Sequence, residues 1–255
     1  MRPRNSRRAS PRAAAANEGS RGPDVRIVAH RGASGSAPEN TLAALRRALE
    51  LGARWAEVDV QRTADGVLVL VHDDSWQRTA GLDRPICDTP WDVVRQLDAG
   101  SWFDARFAGE PPPRLEDTLE LAARGLCLDL EIKSPERHPG LGDQVVDAVR
   151  RAGVAARVLL TSFDTALVER LADQAPDVAC GYLSTHLEPG EHPRVRSLAV
   201  HHAALEAAPE AARRATAKYE VLAWTVDDLP RAVRLADLGV RAIVTNHPER
   251  FLGRL

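Results

Sequence analysis

The sequence predicts an α/β protein: a (β/α)8 barrel carrying a small insertion after its second strand segment. Three observations point there. The chain has 255 residues, a common size for that fold as a single domain. Strand-like apolar runs alternate with helix-like periodicity from residue 25 to the end. Polar groups stand at the ends of several of those runs, where parallel barrels gather functional side chains.

Residues 25–30 form a short apolar run entering a glycine turn. Residues 39–51 then read as a helix, with Leu42, Leu45 and Leu49 along one face. Residues 55–60 alternate as a strand, with Glu57 and Asp59 on one side and Val58 and Val60 on the other. Asp65-Gly66 is a turn signal, and 67–71 a second strand closing a hairpin. Residues 73–113 read as an irregular insertion, with a short helical stretch at 91–97 and a break at Pro111-Pro112-Pro113.

Helix 115–124 and strand 126–132 follow, then helix 141–152 and strand 157–161. Helix 165–174 leads to strand 178–183, and 197–201 is a weaker strand signal. Residues 209–218 read as helix, 219–226 as strand, 228–238 as helix, 241–244 as the last strand and 248–252 as a closing turn. Repeated βα alternation implies a parallel sheet covered by helices, and about eight strand candidates favour closure into a barrel.

The composition is 44% apolar and 27% charged, as in ordinary soluble domains, and the net charge of -2 supplies no basic field for nucleic acid. Only Lys133 and Lys218 are lysine among 34 basic residues, which leaves 32 arginines (34 − 2). Arginine clusters therefore carry little weight, and a lysine inside a motif carries more. Cys87, Cys127 and Cys180 are neither a disulfide framework nor a zinc motif, and they suit a reducing compartment. No apolar run reaches the length of a membrane span, so stable membrane insertion is not expected and a cytoplasmic location is. Residues 1–24 hold six arginines (2, 4, 7, 8, 12 and 21) and no hydrophobic core segment of a signal peptide. They read as a disordered Arg-rich tail, with an anionic-surface tether or a transit peptide as alternatives. Residues 25–255 make the barrel domain.

Glu57 and Asp59 face the same side of one strand, and Asp129, Glu131 and Lys133 face the same side of another. Carboxylates crowded on an inner face repel unless a cation lies between them, and hard divalent cations prefer such oxygen ligands. Glu57, Asp59 and Glu131 are thus candidate metal ligands for Mg2+ or Ca2+; a buried salt-bridge network with Arg31 and Lys133 is the alternative. His30 and His72 end apolar strands and suit proton transfer near neutral pH. Arg31 and Lys133 suit a phosphate group. Trp224, at a strand end, is either a pocket wall or a core aromatic. The remaining histidines (138, 186, 192, 201, 202 and 247) read as surface residues.

These residues sit in a longer pattern. It includes Ala29-His30-Arg31-Gly32, Pro38-Glu39-Asn40-Thr41 and Glu57-Val58-Asp59-Val60, then Thr63-x-Asp65-Gly66 and Val71-His72-Asp73. Gly100-Ser101-Trp102, Leu115-Glu116, Glu131-Ile132-Lys133 and Trp224-Thr225-Val226 complete it over residues 25–253. In this order the set resembles the glycerophosphodiester phosphodiesterases. The resemblance implies a TIM barrel and hydrolysis of glycerophosphodiesters to sn-glycerol 3-phosphate and an alcohol. It implies His30 and His72 as an acid–base pair, Glu57, Asp59 and Glu131 as ligands of one Mg2+ or Ca2+, and Arg31, Lys133 and Trp224 as substrate contacts. The substrate would be a small molecule; the oligomeric state, the preferred alcohol and the attacking nucleophile, water or a neighbouring glycerol hydroxyl, stay open.

Two positions depart from the family pattern. Asn246 stands where an aspartate is usual, which predicts altered loop anchoring rather than inactivity. Arg114 stands where a threonine is usual, which predicts a changed rim. A lysophospholipase D-like phosphodiesterase and a catalytically inactive binding barrel are the alternative functions.

Overall fold

The computed structural model describes residues 25–133, 135–187, 192 and 194–255. The Arg-rich segment 1–24 lies outside the described residues. Eleven strands appear in chain order among the described residues: β1 (Arg26–His30), β2 (Trp55–Arg62), β3 (Leu68–Leu70), β4 (Ser75–Trp76), β5 (Leu82–Pro85), β6 (Cys127–Ile132), β7 (Val158–Ser162), β8 (Ala179–Ser184), β9 (Ser197–His201), β10 (Glu220–Trp224) and β11 (Ala242–Thr245). The helices are α1 (Leu42–Leu51), α2 (Gln77–Ala80), α3 (Trp91–Val94), α4 (Leu115–Ala123), α5 (Leu141–Arg151), α6 (Thr165–Gln174), α7 (His202–Ala207), α8 (Pro209–Thr216) and α9 (Leu229–Asp237).

Strands β1, β2 and β6 to β11 pair in parallel in spatial sequence, and β1 pairs with both β2 and β11. The sheet therefore closes on itself as an eight-stranded parallel barrel surrounded by helices. Closure leaves this sheet without parallel edges. Strand β3 runs antiparallel on the end of β2, Val60 opposite Leu70, as the Asp65-Gly66 turn signal predicts.

Period-2 alternation sorts each barrel strand between two environments. Ala56, Val58 and Val60 of β2 and Leu128, Leu130 and Ile132 of β6 point outward into the apolar layer beneath the helices. Val28, Leu159, Ala199, Leu222, Ala242 and Val244 form a separate cluster inside the barrel. That interior plug supports the mouth formed by the strands' C-terminal ends.

The helix expected over 39–51 begins at Leu42. Thr41 caps it, its Oγ1 accepting from the Ala44 N–H at 3.1 Å. The preceding residues are a turn in which Asn40 takes a left-handed φ of 54°. Between β3 and α4 the chain is more ordered than its composition suggests. The β4–β5 hairpin, α2 and α3 pack around Val69, Val71, Trp76, Ile86 and Val94. Helix α7 had no sequence signal because it starts at the residue after β9, with no turn residue between them. Among the described residues no helix is long and apolar enough to cross a membrane.

Candidate active site

Register brings the acids together. β2 and β6 pair so that Glu57 lies opposite Asp129 and Asp59 opposite Glu131. Oxygens of Glu57, Asp59 and Glu131 lie within 4.8 Å of one another, and all three side chains are buried. Burial, then the nearby Asp59 and Glu131, push the Glu57 carboxyl well above the usual range. Burial, then Asp59, raise Glu131 to about 8. Burial raises Asp129 to about 7, although Thr161 Oγ1 donates to it at 2.7 Å. Asp59 goes the other way: burial opposes its charge, yet Arg31 and Lys133 hold it below the usual range. The Asn40 amide donates to Asp59 Oδ2 at 2.8 Å, and Lys133 Nζ contacts Glu131 at 2.9 Å.

The donor set fits a hard divalent cation. Glu57 Oε1 and Asp59 Oδ1 are buried without a hydrogen-bond partner, with Lys133 Nζ 3.8 Å from the latter, and a divalent cation would satisfy both oxygens. A linkage prediction follows. Folded Glu131 keeps a proton that the unfolded chain releases near pH 4.5, so its contribution to stability falls as pH rises toward about 8. In metal-free protein, the melting temperature of Glu131→Gln should gain on wild type between pH 5 and 8 and stop gaining above that. A constant gap across this range would mean that Glu131 is ionised throughout.

The His30-Arg31-Gly32 turn sets one wall. Arg31 has φ 54°, and its backbone N–H donates to Glu57 Oε2 at 2.9 Å. Gly32 has φ 79°, and a Cβ there would meet Ala44 Cβ at 2.6 Å, so only glycine fits. His30 Nδ1 bonds Asn246 Oδ1 at 2.7 Å. Asn246 is oriented by Asp227, whose Oδ2 accepts from Nδ2 at 2.7 Å, so its carbonyl oxygen faces His30. His30 therefore carries its proton on Nδ1, and Nε2 stands 3.8 Å from Glu57 Oε2. Burial, then the neighbouring Arg31, lower the pKa of this imidazole. Asn246 thus anchors a histidine as well as a loop. Arg114, the other departure, bonds Asp117 at the start of α4 and is absent from the cavity lining.

His72 follows β3 on the other side. Its Nδ1 bonds Asp73 Oδ1 at 2.8 Å. Gln61 Nε2 lies 3.1, 3.3 and 2.8 Å from the carbonyl oxygens of Val71, His72 and Asp73, tying this segment to β2. Behind it stands His138, 3.4 Å from Gln61 Oε1 and 2% exposed. The surface assignment of His138 is therefore wrong: the segment leading into α5 folds it against Gln61.

The structure gathers all eight sequence-selected residues at the C-terminal mouth. His30, Arg31, Glu57, His72, Glu131, Lys133 and Trp224 line a cavity of about 230 Å³, and Asp59 lies in its floor, 3.3 Å from Arg31 Nε. Phe163 meets Trp224 edge-on at 5.9 Å and extends the aromatic wall. A larger open groove of about 800 Å³ lies at the opposite end, among Arg26, Trp55, Glu220 and Arg241, and holds none of the three clustered carboxylates. Sequence reasoning missed Arg78, Asp227 and Gln61, and quoted Asp73 in the family pattern without giving it a role. Gln61 was detectable, since it continues the inward face of Glu57 and Asp59.

Comparison with known proteins agrees with this arrangement. Residues 30–250 match the model of the glycerophosphoryl diester phosphodiesterase family. A glycerophosphodiester phosphodiesterase of Caldanaerobacter subterraneus is 33% identical over 232 residues, covering 89% of this chain and 96% of that protein. An Oleispira antarctica phosphodiesterase, solved in complex with the product sn-glycerol-3-phosphate, superposes with a TM-score of 0.81 at 30% identity, covering 89% and 95%. A glycerophosphodiester phosphodiesterase of Agrobacterium tumefaciens superposes at 0.76 with 29% identity, covering 89% and 98%. A closed parallel barrel with an acidic cluster at its C-terminal mouth, and this likeness along nearly its whole length, show that the chain belongs to the glycerophosphoryl diester phosphodiesterase family of hydrolases.

Proposed function

We propose that the barrel hydrolyses glycerophosphodiesters to sn-glycerol 3-phosphate and an alcohol, using His30 and His72 for proton transfer. The observation that carries this reading is the placement of three clustered carboxylates, two with buried oxygens that accept no hydrogen bond, beside Arg31 and Lys133 and between two histidines. The likeness to a phosphodiesterase holding sn-glycerol-3-phosphate supports the choice of substrate. Residues 25–255 form the catalytic domain in this reading, with 73–113 as its insertion.

Glu57, Asp59 and Glu131 would hold one Mg2+ or Ca2+, which when bound supplies positive charge to the phosphoryl oxygens. Arg31 and Lys133 add positive charge on the same side and favour the more highly charged transition state. His30, neutral through burial and held with Nε2 inward, takes the proton of the attacking nucleophile, either a water or the neighbouring glycerol hydroxyl, and in the second case a water then opens the cyclic phosphate. His72 gives a proton to the departing alkoxide. Trp224 and Phe163 bound the space for the organic part of the substrate.

The test is release of glycerol 3-phosphate from glycerophosphocholine by purified protein with Mg2+, with Ca2+ and with EDTA. Release with a metal and none with EDTA is the expected result. Turnover of a lysophospholipid alone would move the substrate class, and silence toward both would leave a binding barrel.

A further inference from the structure

Two of the proposed catalytic groups, His72 and Arg31, come from segments about forty residues apart. Each is held by a carboxylate: His72 Nδ1 by Asp73 Oδ1 at 2.8 Å, and Arg31 Nη1 by Glu39 Oε1 at 2.8 Å. Both carboxylates converge on one further side chain, Arg78 of α2. Its Nε and Nη2 reach Asp73 Oδ2 and Oδ1 at 2.6 and 3.1 Å. Its Nη1 and Nη2 reach Glu39 Oε2 and Oε1, both at 2.8 Å. One guanidinium therefore makes two forked pairs, using both edges of its plane. The Trp102 ring lies 5.7 Å from its central carbon. Hydrogen bonds from Arg78 are the chief reason that Asp73 stays ionised down to about 2.

We propose that Arg78 is a positioning residue that couples His72 to Arg31 through Asp73 and Glu39; this rests on the proposed roles of His72 and Arg31. Asp73 is about one-third exposed and Glu39 mostly buried. Without a partner on its outer side, Asp73 turns toward water and releases the imidazole. Glu39, left with Arg31 alone, draws that guanidinium away from the cavity. A lysine offers one point of charge and cannot fork to two carboxylates at once. The stretch between β3 and α4 is thus a brace for the mouth of the barrel, and Arg78 is where it bears on the chemistry.

The experiment compares wild type, Arg78→Met and Arg78→Lys. Expected is a fall in kcat/KM on glycerophosphocholine of about 10–10²-fold for methionine, the scale typical of outer-shell partners, and a smaller fall for lysine. Guanidinium, at concentrations well below denaturing, should restore part of the Arg78→Met rate, since Arg78 is exposed enough for a small cation to replace its head. Equal NaCl should not. A crystal structure of Arg78→Met reads the brace without any turnover, and His72 and Arg31 should be displaced in it. Wild-type kinetics in Arg78→Met, or unmoved His72 and Arg31 side chains, would overturn the proposal. An inert wild type would instead refute the substrate reading, and the displaced side chains would still decide the role of Arg78.

Discussion

Asp59→Asn is expected to lower kcat by about 10³-fold, the upper range for removing one preorganised electrostatic partner, while the barrel stays folded. The substitution keeps the shape and removes the one charge in the acidic cluster that the protein itself stabilises. Burial alone would keep Asp59 protonated, but Arg31 and then Lys133 overcome it, and the Asn40 amide adds a hydrogen bond. Glu57 and Glu131 are pushed in the opposite direction by burial and by Asp59 itself. Asp59 is therefore the carboxylate whose charge the site favours, and its buried Oδ1, which accepts no hydrogen bond and has Lys133 Nζ at 3.8 Å, is the oxygen a divalent cation would meet first. Folding and metal binding separate in one assay. Mg2+ or Ca2+ should raise the melting temperature of wild type, because a ligand bound only by the native state stabilises it. The same ions should leave Asp59→Asn unchanged. An Asp59→Asn protein that is still stabilised by metal, or that turns over at the wild-type rate, would remove Asp59 from the site.

Alanine at His30 and alanine at His72 should each cost about 10²–10⁴-fold in kcat, the usual worth of a positioned acid or base. The two losses should not multiply in the double variant, because both groups serve one proton inventory. The supporting contacts give each single variant a companion. Asn246→Leu removes the oxygen that holds His30 Nδ1, and Asp73→Leu removes the one that holds His72 Nδ1. Each companion should show a smaller loss of the same kind, confined mainly to kcat, since the ring remains but its tautomer and aim are no longer set. Fully multiplicative losses for the two alanines would mean that the histidines act in separate steps. A variant that retains wild-type turnover, in protein shown free of contaminating activity, would leave that histidine without a role.

The candidate site was legible in the sequence to an unusual depth because its signals are local. Two acids two residues apart on a strand share a face wherever that strand ends up, so Glu57 with Asp59, and Glu131 with Lys133, were paired before any neighbour was known. His30 and Arg31 were marked by the glycine turn after an apolar run, and that turn proved to need a residue without a Cβ. The helix starting at 42 rather than 39 was a boundary error of the ordinary kind, since a turn that precedes a cap carries apolar and polar residues in no set period.

Other features had no local sign. Asn246 lies 216 residues from His30, and they meet only because β11 closes the barrel against β1. His138 was read as a surface residue, and its burial depends on how the segment before α5 folds over Gln61. The hairpin β4–β5 and α2 are too short to show periodicity, yet they carry Arg78 to both carboxylates.

By itself, then, the sequence determined the eight barrel strands, most of the helices, the inward and outward faces of the strands and the eight polar and aromatic residues it placed at the mouth, because these depend on spacing along the chain. Only the tertiary structure decided which acids are pushed up and which down, which partner holds each histidine's Nδ1 and what braces the site. Those properties depend on desolvation and on hydrogen-bond partners, and both are set by which distant segments the closed barrel and its register bring within about 3 Å.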